Sequence, residues 1–169
     1  MPTVLSKSFL DHAGKLVVGR GRPSQASLRR CISAAYYAAF HYLIEQATAS
    51  QFPAQPMRLR PLVGRAFQHG ELRELCTDLT KHTLSARLKP AFPSAPSSEL
   101  RSLCQSFVKL QEDRHRADYD PTADFSKFDA IASLQAVQTL MMAWEAIAST
   151  EEAVVFLAAM AFHKRWNRA

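Results

Sequence analysis

Two short stretches of this chain carry side chains able to handle a phosphate. The first is Ser33-x3-Tyr37-x3-His41. On a helix, the spacing i, i+4, i+8 lines up a hydroxyl, a phenol and an imidazole along one face. The second is Arg114-His115-Arg116-Ala117-Asp118-Tyr119-Asp120-Pro121. An arginine grips phosphate through paired N–H donors, a histidine moves protons near neutral pH, and a tyrosine donates or stacks on a base. If the two stretches lie on neighbouring helices, Arg114 and Arg116 capture phosphate in a cleft lined by Tyr37, His41 and Tyr119. A structural role is open to the same residues. Arg114 and Asp118 stand at i, i+4 and can pair with each other. Tyr37 and His41 can be core or interface residues. Asp118-Tyr119-Asp120-Pro121 can simply stop a helix and lock the chain's exit.

Other chemistries find little support. The histidines at 12, 41, 69, 82, 115 and 163 form no HExxH, and no carboxylate sits at ligand spacing from a second histidine, so no metal site is expected. There is no P-loop, no GxGxxG and no GxSxG elbow, and five glycines disfavour Gly-rich nucleotide loops; no cofactor is expected. Cys31, Cys76 and Cys104 make no CxxC pair and read as reduced, mostly buried thiols. The first residues mix charges into their apolar pattern and end in no small-residue cleavage site. The longest apolar run, residues 153–162, is too short to span a bilayer. A cytoplasmic protein without membrane contact is the expectation.

The 169 residues have the length of one domain, 1–169, large enough to bury a core without disulfides or metals. Hydrophobic residues make up 47%, which excludes a disordered polyelectrolyte. The net charge of +6 is uneven: residues 1–30 carry a local +5 and residues 57–90 a local +4. Such a distribution suits either a face for a polyanion or a solvated basic surface.

The elements that must position the two stretches are helical nearly throughout. In a first segment Leu5, Phe9, Leu16 and Val17 lie close to one face. Arg20-Gly21-Arg22-Pro23 breaks it, and Ser24 or Ser27 can cap the next helix. That helix, about 25–47, has an apolar stripe of Leu28, Ile32, Ala35, Ala39 and Leu43. Its other side, with Tyr37, Phe40, His41 and Ile44, is aromatic rather than plainly polar. It is therefore either central in a bundle or half of an oligomer interface. Residues 48–60 read as a loop, 61–67 as a helix, His69-Gly70 as a break, and 71–88 as a helix again. Ser97 or Ser98 caps a helix to about 118. Its stripe Leu100, Leu103, Phe107, Leu110 continues to Arg114, which therefore points towards the bundle. Phe125, Phe128, Ile131, Leu134, Leu140, Met141, Trp144 and Ile147 mark a further long helix. Ser149-Thr150-Glu151-Glu152 resembles a capping box before a last helix at about 151–165.

At these stretches the sequence resembles HEPN domains. Residues 27–41 are similar to their signature helix, whose small bacterial members carry S-x-A-Y-Y-A-x-F-H, here from Ser33 to His41. Arg114-x-x-Ala117-Asp118-Tyr119 resembles the R-x-x-A-D-Y motif of the same subgroup. The resemblance covers about residues 5–148, with 150–165 as an extra helix. It implies an all-α up-and-down bundle of four to five long helices plus a short one, forming a homodimer and binding RNA or a nucleotide in a toxin–antitoxin or defence setting. It further implies a nucleotidyltransferase-like or antitoxin partner. Arg114, His115 and His41 would be catalytic in metal-independent RNA cleavage. Ser33, Tyr36, Tyr37, Arg116, Asp118 and Tyr119 would bind the ligand. The Arg-x4–6-His pattern of the ribonuclease members is absent: Arg65 and His69 are separated by three residues, and His115 directly follows Arg114. A non-catalytic interaction module stands beside the RNA-binding reading.

Overall fold

The computed structural model describes residues 4–18, 21–51, 60–65 and 67–166. Among them, every regular element is helical, and the helices pack into an all-α bundle: α1 (Val4–Val18), α2 (Gln25–Gln51), α3 (Arg60–Gly64), α4 (His69–Leu79), α5 (Ser98–Tyr119), α6 (Lys127–Ile147) and α7 (Glu151–Phe162), then a 3₁₀ turn at His163–Arg165.

α2 is the axis. It packs against α1, α5, α6 and α7. Ser24 opens it: its Oγ accepts from Ser27 N at 3.1 Å and its carbonyl accepts from Leu28 N at 3.0 Å. Gly21, at φ 114°, takes the left-handed conformation that turns the chain into this cap. Ala34, Ala35, Ala38 and Ala39 are all buried, and their small side chains let neighbouring helices approach closely. Phe40 and Ile44 are buried too. Those two members of the aromatic second face are thus bundle interior within one chain, while Tyr37 and His41 on the same face are half-buried.

α5 follows its sequence pattern closely. Ser97 caps it, accepting from Leu100 N at 3.1 Å, and Leu100, Leu103, Phe107 and Leu110 are fully buried. α6 opens with a capping box, Ser126 and Asp129 bonding each other's backbone N–H. Its buried face runs through Ala130, Ser133, Val137, Leu140, Trp144 and Ile147, while Phe128 is 77% exposed.

Several boundaries differ from the sequence reading. α2 runs on to Gln51, so residues 48–51 are helix; 52–59 lie outside the described residues. α3 ends at Gly64, well short of 67. His69-Gly70 is no break but the first turn of α4. α4 stops at Leu79 rather than 88, because Asp78 turns the chain: its Oδ1 accepts from Ser85 N at 3.2 Å, and its carbonyl accepts from Lys81 N at 3.1 Å. Leu88 reaches the core from a turn, its N–H donating to Ser85 O at 3.0 Å. Before α7 the cap is Thr150, accepting from Ala153 N at 3.2 Å. Glu152 does not reach back in a capping box. It accepts instead from Ser97 N at 2.8 Å and from the Ser97 hydroxyl, tying α7 to the start of α5. Phe156, Leu157, Ala159 and Met160 of α7 are buried in the main core.

Cys31, Cys76 and Cys104 are free thiols, all buried. Burial pushes the Cys31 thiol up to about 11. No described helix is long and apolar enough to cross a membrane.

Candidate functional site

The stripe of α5 emerges from the core at Arg114, one turn past Leu110, facing α2. There Arg114 meets the polar ridge of α2. Its Nη2 donates to Tyr37 Oη at 3.1 Å and to Tyr119 Oη at 3.4 Å. Its Nε lies 2.7 Å from Asp118 Oδ2, but the N–H is not aimed along that line, so the pairing is mainly coulombic. Asp118 also accepts from Ser33 Oγ at 3.3 Å, closing the link back to α2. The guanidinium carbon sits 5.8 Å from the Tyr36 ring centre, 5.7 Å from that of Tyr37 and 5.2 Å from that of Tyr119. Such cation–π placement orients a guanidinium while its side chain stays 22% exposed. Nη1 has no hydrogen-bond partner among the described residues. Burial by itself would lower the Arg114 pKa, but the Tyr37 hydroxyl and Asp118 outweigh it and hold the charge more firmly than usual.

A histidine that the motifs did not single out completes the cluster. His69, at the start of α4, shares a 2.6 Å hydrogen bond between its Nδ1 and Tyr36 Oη. Its ring stacks on Phe40 at 3.8 Å. Desolvation against these rings, then the charge of Arg114, lowers its pKa. Burial pushes the Tyr36 hydroxyl up, so it stays protonated. The signal for this contact was the pair Tyr36 and Phe40, one helical turn apart, which offers a platform for a flat partner. Nothing local says that the partner comes from 33 residues along the chain.

His41 closes the ridge on the other side. It stacks on Phe9 of α1 at 5.4 Å, with the rings 1° from parallel, and lies 6.5 Å from Tyr37. Burial lowers its pKa, with Glu45 opposing. Both imidazoles are therefore biased towards the neutral form, the state in which a histidine accepts a proton.

Of the sequence-derived residues, Ser33, Tyr36, Tyr37, Arg114, Asp118 and Tyr119 form one connected cluster, with His41 beside it. His115 is exposed, its ring 5.1 Å from Tyr119, on the outer edge of that cluster. Arg116 does not join. Two positions beyond Arg114 it faces α6, 5.5 Å above the Phe125 ring, in a small cleft with Lys109, Asp113 and Asp129. A helical step of two residues turns a side chain by about 200°, so Arg114 and Arg116 cannot clamp one phosphate together.

The cluster is backed by a second set of contacts that motif reading missed. Arg29 of α2 donates through Nη1 to Ala117 O and Asp120 O, each at 2.9 Å, and through Nη2 to Ala123 O. Gln25 pairs with the Phe125 backbone in both directions, at 2.7 and 3.1 Å. These bonds fix the exit of α5 against α2, and with it the positions of Asp118 and Tyr119. The chain matches no protein-family model, no curated protein and no solved structure.

Proposed function

We propose that this chain is a HEPN-type helical protein that binds RNA or a nucleotide at the Arg114 cluster. The observation that carries this reading is the state of Arg114. It is oriented by Asp118, Tyr37 and three aromatic rings, yet its side chain is partly exposed with Nη1 unengaged. A pre-oriented guanidinium with free N–H donors suits a phosphate oxygen. Tyr119, 62% exposed, offers a ring for a base. Should the bound RNA be cleaved, the 2′-hydroxyl attacks the adjacent phosphorus to form a 2′,3′-cyclic phosphate, the P–O5′ bond breaks, the leaving 5′-oxygen takes a proton from water, and Arg114 stabilises the charge on the phosphoryl oxygens. His41 or His69, both biased to the neutral form, takes up the 2′-hydroxyl proton, and no metal is required. A toxin–antitoxin or defence setting accords with that chemistry.

The test is binding to single-stranded RNA across a salt series. Affinity should fall steeply as salt rises. Arg114→Ala should weaken it by about tenfold or more. An Arg114→Ala protein that binds RNA like the parent sinks the reading. Cleavage is checked with RNA in excess EDTA, where persistent intact RNA removes the nuclease part.

Two observations favour a second reading, a non-catalytic dimeric module partnering a nucleotidyltransferase-like protein. Nη2 of Arg114 already donates to two hydroxyls of the chain itself and its charge is paired with Asp118, and α6 turns Phe128 and Met142 outward, 77% and 70% exposed. Under that reading Arg114→Ala loses partner binding or stability and leaves RNA unaffected.

A further inference from the structure

A neutral imidazole has one N–H and one bare nitrogen, and their placement decides whether a histidine gives or takes a hydrogen bond. At His69 a buried neighbour makes the choice. Tyr36 is 1% exposed, and its hydroxyl shares a hydrogen bond with nothing among the described residues but Nδ1 of His69, at 2.6 Å. A phenol sealed from water cannot leave its proton unspent without cost, and Nδ1 is the acceptor within reach. The separation agrees, being usual for an O–H donor and short for an N–H donor. The phenol therefore donates, Nδ1 accepts, and the proton of the neutral ring is on Nε2.

The same bond sets where that N–H points. The two nitrogens lie on opposite sides of the ring, so a tether from Nδ1 into the core turns Nε2 away from it. His69 is an exposed residue, with one ring face stacked on Phe40 and its carbonyl held by Gln111 Nε2 at 3.4 Å. Nε2 has no hydrogen-bond partner among the described residues.

Ring and guanidinium flank the same two phenols. The centres of the Tyr36 and Tyr37 rings are 5.6 and 6.0 Å from that of His69, and 5.8 and 5.7 Å from the guanidinium carbon of Arg114. Tyr37 Oη accepts from Arg114, which leaves its own proton to give. The unengaged groups around these phenols are thus donors: Nη1 of Arg114, the Tyr37 O–H and Nε2–H of His69. The diester phosphate of RNA, which only accepts, is their complement.

We propose that His69 binds the ligand as a donor, its Nε2–H meeting a phosphoryl oxygen of RNA held at Arg114, and that Tyr36 is the positioning residue that fixes its tautomer. The proposal rests on the RNA-binding reading and narrows it. A ring with Nδ1 occupied and Nε2 protonated has no lone pair for the 2′-hydroxyl proton, so in the cleavage scheme that step falls to His41.

The full chain labelled with ¹⁵N-histidine reports the tautomer before any RNA is added. At about pH 8, where histidines are neutral, Nε2 of His69 should resonate as a protonated nitrogen and Nδ1 as a bare one. Tyr36→Phe should replace that preference by a mixture. Binding is then measured with a short 2′-O-methylated oligouridylate, which resists cleavage. His69→Ala should weaken it by about tenfold. His69→Gln, whose amide nitrogen can stand in for Nε2, should recover most of the loss. An abasic oligomer should still move the His69 Nε2 signal. The proposal is overturned if the free protein carries the His69 proton on Nδ1, if His69→Gln binds no better than His69→Ala, or if only base-bearing RNA moves the signal. It is overturned alone, with the RNA-binding reading intact, if His69→Ala binds like the parent while Arg114→Ala does not. If the parent binds no RNA, or Arg114→Ala binds it undiminished, the reading falls and the proposal with it.

Discussion

Arg29 and Arg114 both lie over aromatic rings and both tie α2 to the end of α5, but their acceptors are of different kinds. Arg29 donates to the backbone carbonyls of Ala117, Asp120 and Ala123. These belong to a helix end and the turn after it, where carbonyls lack helical partners and cannot rotate away. Arg114 engages side chains: a carboxylate and two phenols, all able to turn aside. Burial of similar charges next to similar rings thus gives a clamp in one place and an adjustable group in the other. A guanidinium on fixed carbonyls serves the fold; one on movable side chains can exchange them for a ligand.

That contrast is broken most directly by stability measurements. Arg29→Ala should lower the unfolding free energy by about 3 kcal/mol, since it removes the guanidinium donor from three carbonyls, of which only that of Asp120 keeps a backbone N–H, from Ala123. A loss below about 1 kcal/mol in urea unfolding would put Arg29 in the same category as Arg114. Acidification comes next. The His69 and His41 pKa values are held below the ordinary 6.5, so the unfolded chain binds more protons as pH falls through 6.5. Stability should be full above that pH, decline below it, and level off under the folded-state values. A Tm that stays constant from pH 7 to about pH 5 would show that these rings are not desolvated. The smallest effect belongs to Arg114→Ala. Its ion pair is partly exposed, and stability should fall by less than about 1 kcal/mol. A larger loss would make Arg114 a clamp as well and sharpen the case for the module reading.

What the sequence made legible has a physical pattern. The stripe from Leu100 to Leu110 is fully buried, and a buried stripe shows its period plainly; it correctly sends Arg114 towards α2. Ser24 and Ser97 were readable as caps because capping is local. The end of α4 was not, because Leu84 and Leu88 continue the spacing of Leu72, Leu75 and Leu79 while reaching the core from turns. Phe128 misleads in the opposite sense: a large apolar residue, it faces out, while Ala130 and Ser133 take the interior positions. At the candidate site, Ser33, Tyr37, Arg114, Asp118 and Tyr119 follow from spacing on two helices. His69, Phe9 and Arg29 enter through contacts between distant segments, which periodicity does not encode. Arg116 was read by residue type, and its position on the helix decided against it.

The grip of Glu152 on Ser97 gives α5 a mechanical character. α5 is an unbroken rod of 22 residues, about 33 Å long. One end is pinned to α7 by Glu152, and the other is fastened to α2 by Arg29 and carries Arg114. Between these two anchors the body of α5 lies against α2, α4 and α6. Its two ends are thus tied to different neighbours, the first turn to α7 and the last, beside Arg114, to α2.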